Sequence, residues 1–175
     1  MGPFYHTARW PRKYGNIMRK KKPIAAIEIP ENNVKSIYPE PFASMMEGRS
    51  KRKLGDYFGL SNFGVNFTEL RPGAISALKH RHQTQDEFIY ILSGAPSLVC
   101  GNEKYKLTPG ECFGFKAGNK MAHQLINETD ENVTYLEVGD RTPGDAVVYP
   151  EDDLCAHSQQ DGSWVFTHKN GDAYL

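Results

Sequence analysis

The chain has 175 residues, the length of one domain, and a chain that long buries a core without needing disulfides. Charged residues make up 24% and hydrophobic residues 39%, with 16 Gly and 11 Pro, which excludes a disordered tail, a coiled coil and a collagen-like chain. No apolar run approaches the roughly 18 residues of a membrane helix, and basic and acidic residues balance at 21 each, so the chain is not built around a polyanionic partner.

The balance hides an asymmetry. Residues 1–22 hold Arg9, Arg12, Lys13, Arg19, Lys20, Lys21 and Lys22 and no acid, and the rest of the chain carries the compensating negative charge. We read this segment as a solvated basic arm, because it lacks the apolar stretch of a signal peptide and is poor in Ser. Nucleic acid is therefore not the expected partner, and Met18, directly before Arg19, is an alternative start of translation. Residues 23–56 form an irregular covering segment. Pro23, Pro30, Pro39 and Pro41 exclude a long helix there. The basic run Arg49, Lys51, Arg52 and Lys53 reads as a solvated loop.

From residue 57 the pattern is strand after strand. Residues 62–68 alternate, with Phe63, Val65 and Phe67 expected inside. Residues 74–82 extend again. Residues 88–92 are apolar on both faces and are expected to be covered on both sides. Turns follow at Ser93-Gly94, Gly101-Asn102 and Thr108-Pro109-Gly110, then strands over 103–107, 111–115, 122–127 and 133–138. A C-terminal extension, 141–175, contains a hairpin signal from Trp164 to Asn170-Gly171. Helices are expected only near the N-terminus or around 150–157. Short strands with turns every eight to twelve residues mean an all-β sandwich or barrel, here over residues 57–140.

Three cysteines, Cys100, Cys112 and Cys155, have no zinc-knuckle or redox spacing. They read as reduced thiols, two of them in strands, in a cytoplasmic protein. Of six histidines, His80 and His82 are two apart, so a strand projects both from one face. Glu87 follows at an odd offset. A bend through Gln83-Thr84-Gln85-Asp86 is needed to return it to that face, with Asp86 as the substitute should Glu87 turn outward. Two imidazoles and a carboxylate suit a borderline divalent ion. His6, His157 and His168 have no partner at metal spacing and read as surface or packing residues.

The stretch Gly73, His80, His82, Glu87, Gly94 resembles the first cupin motif, and Gly110, Gly118, His123, Asn127 resemble the second. Six residues rather than five separate Gly73 from His80, Lys116 stands where proline is usual, and four residues rather than two separate Gly118 from His123. The tail from Tyr135 to Asp145, with Tyr149-Pro150 and Asp152-Asp153-Leu154, is similar to small single-domain bacterial cupins described as sugar-phosphate-isomerase-like. The resemblance implies a double-stranded β-helix, or jelly-roll barrel. It implies His80, His82, Glu87 and His123 as ligands of a divalent transition metal (Fe, Mn, Zn or Ni), with Asn127 bracing a loop.

Three functions remain open on these residues. One is a metal-dependent enzyme acting on a small polar molecule, by oxygenase-type chemistry or Lewis-acid isomerisation of a sugar phosphate. The second is a non-catalytic ligand-binding or regulatory module. The third is a metal-free structural barrel. A sugar phosphate needs cations, for which Lys116 and Lys120 are better placed than Lys79 and Arg81. Open sheet edges and the doubly apolar strand lead us to expect a two-fold homodimer, with residues 23–48 able to cross between subunits.

Overall fold

The computed structural model describes residues 21–32 and 36–174. His6, Met18 and the basic arm up to Lys20 therefore lie outside the described residues. Twelve strands run in chain order: β1 (Arg49–Lys53), β2 (Phe63–Leu70), β3 (Arg81–His82), β4 (Glu87–Ser93), β5 (Ser97–Cys100), β6 (Glu103–Lys106), β7 (Cys112–Phe115), β8 (His123–Ile126), β9 (Val133–Asp140), β10 (Ala146–Tyr149), β11 (Leu154–Ser158) and β12 (Trp164–Thr167). One short helix, α1 (Leu54–Phe58), ends at Gly59 in the left-handed conformation, and 3₁₀ turns occupy Ala26–Glu28 and Ser44–Met46. Residues 150–157, a candidate for helix, are instead a turn leading into β11.

The strands form three antiparallel sheets, in the orders β1-β2-β9-β4-β7, β12-β11-β10-β3 and β6-β5-β8. This is the jelly roll. Gly94, with φ 76°, turns the chain out of β4. A Cβ there would lie 2.8 Å from Val133 Cγ2 and 2.9 Å from Asn132 O, so only glycine fits. Asn127 is fully buried and ties the end of β8 to its surroundings. Its Nδ2 donates to Leu70 O and Glu131 O, and its Oδ1 accepts from Thr129 N and Oγ1. That is the bracing role expected of it.

Two cores flank the barrel interior. One gathers Leu70, Ile89, Ile91, Leu98, Leu125, Val133 and Tyr135. The other joins Phe42 and Met46 of the covering segment to Leu78 and to Val147, Tyr149, Leu154 and Ala156 of the C-terminal extension. The covering segment thus packs on its own chain. The hairpin signal corresponds to β11 paired with β12, and the chain beyond Asn170-Gly171 returns through a bridge between Thr167 and Ala173.

Four expectations need correction. Residues 49–53 are not a loop but β1, paired along its whole length with β2. Strand β2 has the opposite parity, since Gly64, Thr68 and Leu70 are buried while Phe63 is 44% exposed. Strand β4 is covered on one face only. Ile89 and Ile91 are buried, but Phe88, Tyr90 and Leu92 are exposed. The first and second share a cause: the barrel interior near the site is polar, so Lys51 and Asn66 point in and Phe63 points out; β4 has one inward row, Glu87, Ile89 and Ile91, and its other apolar row is left on the outer face. Fourth, all three cysteines lie in strands, not two; all are free thiols. Among the described residues no helix is long and apolar enough to cross a membrane.

Candidate metal centre

Each imidazole arrives by a different route. His80 pairs its backbone with His123, by His80 N to His123 O at 3.1 Å and His123 N to His80 O at 2.7 Å. His82 lies on β3, in the four-stranded sheet, opposite Val147 of β10. Glu87 opens β4, in the five-stranded sheet, and His123 opens β8, in the three-stranded sheet. The bend through 83–86 carries the chain from one sheet to another, which cancels the odd offset and returns Glu87 to the histidine face. Asp86 does not substitute for it; its Oδ1 accepts from Ala117 N at 2.7 Å.

The Nε2 atoms of His123, His80 and His82 stand 2.9, 3.4 and 3.4 Å from a single oxygen, Glu87 Oε2. That oxygen is buried and has no hydrogen-bond partner among the described residues. An orphaned carboxylate oxygen amid three nitrogen ligands is what a cation would satisfy. Ligand atoms of His80, Glu87 and His123 lie within 4.8 Å of one another, close enough to hold one ion.

The ring orientations agree. His80 Nδ1 lies 2.8 Å from Leu78 O, and His82 Nδ1 lies 2.5 Å from Asp145 Oδ2. Each therefore donates from Nδ1 and keeps the Nε2 lone pair for a ligand. The His123 ring is held by stacking on Phe115, centroids 3.5 Å apart and 8° from parallel, and Tyr149 stacks on His80 at 6.0 Å. Burial pushes the Glu87 carboxyl up, but the imidazoles of His123 and His80 outweigh it and hold the group well below the usual range. Burial pulls His123 down. Burial also pulls on His82, yet Asp145 and Glu87 raise it overall.

The cluster lines a cavity of about 1250 Å³. Arg49 and Lys51 line it together with the acid Glu137. Arg49 Nη1 donates to Ser76 O at 2.5 Å, and Lys51 Nζ contacts both oxygens of Glu137 at 2.8 and 2.9 Å. Asn66 Nδ2 also donates to Glu137, at 3.0 Å. Burial raises the Glu137 carboxyl, but the Lys51 ammonium brings it below the usual range. Between the walls, the strand row that starts at Glu87 continues through Gly139 and Gly64. Neither has a side chain; the space over Gly139 beside the carboxylate is open, and that over Gly64 is taken by the Arg141 guanidinium. Tyr38, from the covering segment, meets Tyr149 edge-on at 5.8 Å, and burial pushes both hydroxyls up, so both are neutral donors.

The sequence pattern thus brings together His80, His82, Glu87 and His123. It missed Arg49, Lys51, Asn66, Glu137, Asp145 and the two tyrosines. Strand alternation across 49–53 was the available signal for the two cations. Lys116 and Lys120 are not on this cavity. Lys116 borders a smaller crevice of about 20 Å³ that also touches His82, Glu87 and His123, and Lys120 is exposed. Lys79 points away and pairs with Glu151 at 2.7 Å, whereas Arg81 borders that small crevice. His168 is a surface residue, stacked on Tyr174 and bonded to Asp153, and His157 is exposed.

Residues 66–139 match the Cupin_2 family, described as a cupin domain. Among solved structures, the chain is similar to a sugar phosphate isomerase of the cupin superfamily from Silicibacter pomeroyi. The identity is 38%, over 88% of this chain and 97% of that one, with a TM-score of 0.82. A candidate sugar phosphate isomerase of Acidithiobacillus ferrooxidans is 30% identical over 73% of this chain and 80% of its own, with a TM-score of 0.65. The polyketide cyclase RemF of Streptomyces resistomycificus, 21% identical over 69% of this chain and 79% of its own (TM-score 0.55), shares the fold. No curated protein matches the chain. Motif, fold, converging ligand set and these likenesses lead to one family: the chain belongs to the cupin superfamily.

Proposed function

We propose that His80, His82, Glu87 and His123 hold a divalent transition metal, and that the protein isomerises a small phosphorylated sugar bound between that metal and the Arg49–Lys51 wall. The observation that carries this reading is the convergence of three Nε2 atoms on Glu87 Oε2 inside a cavity that Arg49 and Lys51 also line. A bound ion supplies Lewis-acid polarisation of a carbonyl or hydroxyl oxygen. The chain's own residues divide the remaining work. Arg49 and Lys51 offer cations to an anionic group. The neutral hydroxyls of Tyr38 and Tyr149 donate hydrogen bonds to sugar oxygens. Glu137, ionised beside Lys51, is the acceptor for a migrating proton. The similarity to the Silicibacter pomeroyi sugar phosphate isomerase adds support.

The test is elemental analysis of purified protein, wild type beside His82→Ala, followed by a panel of aldose and ketose phosphates monitored by NMR. About one equivalent of metal, lost in the variant, with aldose–ketose interconversion that falls in Lys51→Met, is the expected result. Metal with ligand binding but no turnover would leave a non-catalytic binding module. Oxygen consumption by an iron-loaded form would move the chemistry to oxygenation.

We also propose a two-fold homodimer through the outer face of the five-stranded sheet. Two adjoining apolar rows cross it, Phe88–Val138–Val65 and Tyr90–Leu136–Phe67. An apolar patch on a sheet face, here bordered by Arg52, Glu69 and Asp140, is complementary to a second copy of itself and packs as sandwiches do. The three free thiols support a reducing, cytoplasmic setting.

A further inference from the structure

Asp145 lies six residues beyond the matched domain, in the C-terminal extension, and is fully buried. Both of its oxygens are occupied. Oδ2 faces His82 Nδ1 at 2.5 Å. Oδ1 accepts three hydrogen bonds from the bend after His82, from Gln83 N at 3.1 Å, Thr84 N at 2.8 Å and Thr84 Oγ1 at 3.0 Å. The aspartate is itself fixed from behind: Ser158 Oγ accepts from Asp145 N at 2.8 Å and from Gly144 N at 3.0 Å, and Ser158 N donates to Asp145 O at 2.9 Å. A carboxylate has no proton to donate, so the nitrogen facing Oδ2 carries one.

We propose that Asp145 is a positioning residue for the metal centre, which holds His82 in the tautomer protonated on Nδ1 and leaves its Nε2 lone pair aimed at the ion. The extension after residue 139 is then part of the metal site, although it supplies no ligand. The inference rests on the metal reading above for its consequence, but the tautomer itself is independent of any ion.

The geometry makes an unusual demand on substitution. In Asp145→Asn only one of the two side-chain atoms is an acceptor. Three donors from residues 83 and 84 compete for it against one from His82, so the amide oxygen stays with the bend and the NH₂ turns to His82. His82 must then accept at Nδ1 and carry its proton on Nε2, where it cannot ligate. In Asp145→Ala the bend loses its bonds, but no donor forces the wrong tautomer.

The experiment has two readouts on the full chain. The first is the ¹⁵N signature of the His82 ring in metal-free protein, above the imidazole titration. The second is zinc affinity by chelator competition, set beside thermal stability. Wild type is expected to show Nδ1–H and Asp145→Asn to show Nε2–H. Asp145→Asn should keep a Tm nearer wild type than Asp145→Ala does, yet lose zinc affinity by about 10–100-fold and at least as much as Asp145→Ala. Ser158→Ala, which perturbs only the support, should lower Tm without moving the tautomer. Nε2–H in wild type overturns the proposal without any variant. So does a zinc affinity that follows the order of Tm. If wild type takes up no zinc while His82 is Nδ1–H and switches in Asp145→Asn, the metal reading fails and the positioning stands.

Discussion

The two hydrophobic cores are similar in content and different in provenance. The first draws on residues of β2, β4, β5, β8 and β9 that all fall within 66–139. The second is assembled from Phe42 and Met46 on one side of the matched domain and Val147, Tyr149, Leu154 and Ala156 on the other, with Leu78 between them. The metal cluster sits where the two meet: Phe115, which packs on the first core, stacks on His123, and Tyr149 of the second stacks on His80. The contrast teaches that the first core makes the barrel and meets the cluster through Phe115, whereas the second, built from outside the matched domain, backs His80 and His82.

That division can be broken by truncation on each side. Leu98→Ala, in the first core, removes a fully buried side chain and should cost about 2–5 kcal/mol of stability in denaturant titration. The folded fraction should keep its metal affinity. Leu154→Ala, equally buried in the second core, should cost a similar amount and also weaken metal binding several-fold. Equal effects of both on affinity would erase the distinction.

A smaller effect comes from the cavity wall. The Glu137 carboxyl lies below its ordinary value, burial being outweighed chiefly by Lys51. A depressed carboxylate contributes stability above its unfolded value, near 4.5, and loses it as pH falls through the folded one. Glu137→Gln should therefore flatten the acid limb of the stability curve below that point, by on the order of 1 kcal/mol. An unchanged acid limb would mean that the Lys51 pair contributes no net stability. The smallest effect on the fold is expected on the outer face. Tyr90→Lys, at a 39% exposed position, should alter monomer stability by no more than about 0.5 kcal/mol. It should nonetheless convert a dimer to a monomer in light scattering, and a wild type that is already monomeric would remove the proposed interface.

The part of the site that was legible in the sequence is the part whose residues are close in sequence or stand at motif spacing. His80 and His82 stand two apart, and Glu87 follows after one bend. His123 sits at a fixed distance from Asn127. Asp145, Lys51 and Glu137 were illegible because their meaning is set by pairing between strands far apart in the chain: Lys51 is a surface-looking lysine until β1 lies against β2 and Glu137 comes within 2.8 Å. The parity of β2 was misread for the same reason. Alternation shows that one face is buried, but apolar residues go inward only where the interior is apolar. Here Asn66 has a carboxylate to bond inside, and Phe63 is left outside.

His82, Glu87 and His123 come from three different sheets. An ion bound by them would act as a rivet through the whole barrel, and no single sheet could bind it alone. Its binding energy would then count toward global unfolding rather than local fraying, adding about 2.7 kcal/mol when free metal exceeds its dissociation constant a hundredfold. The optical spectrum of a bound cobalt would report one event only, the moment at which all three sheets are in register.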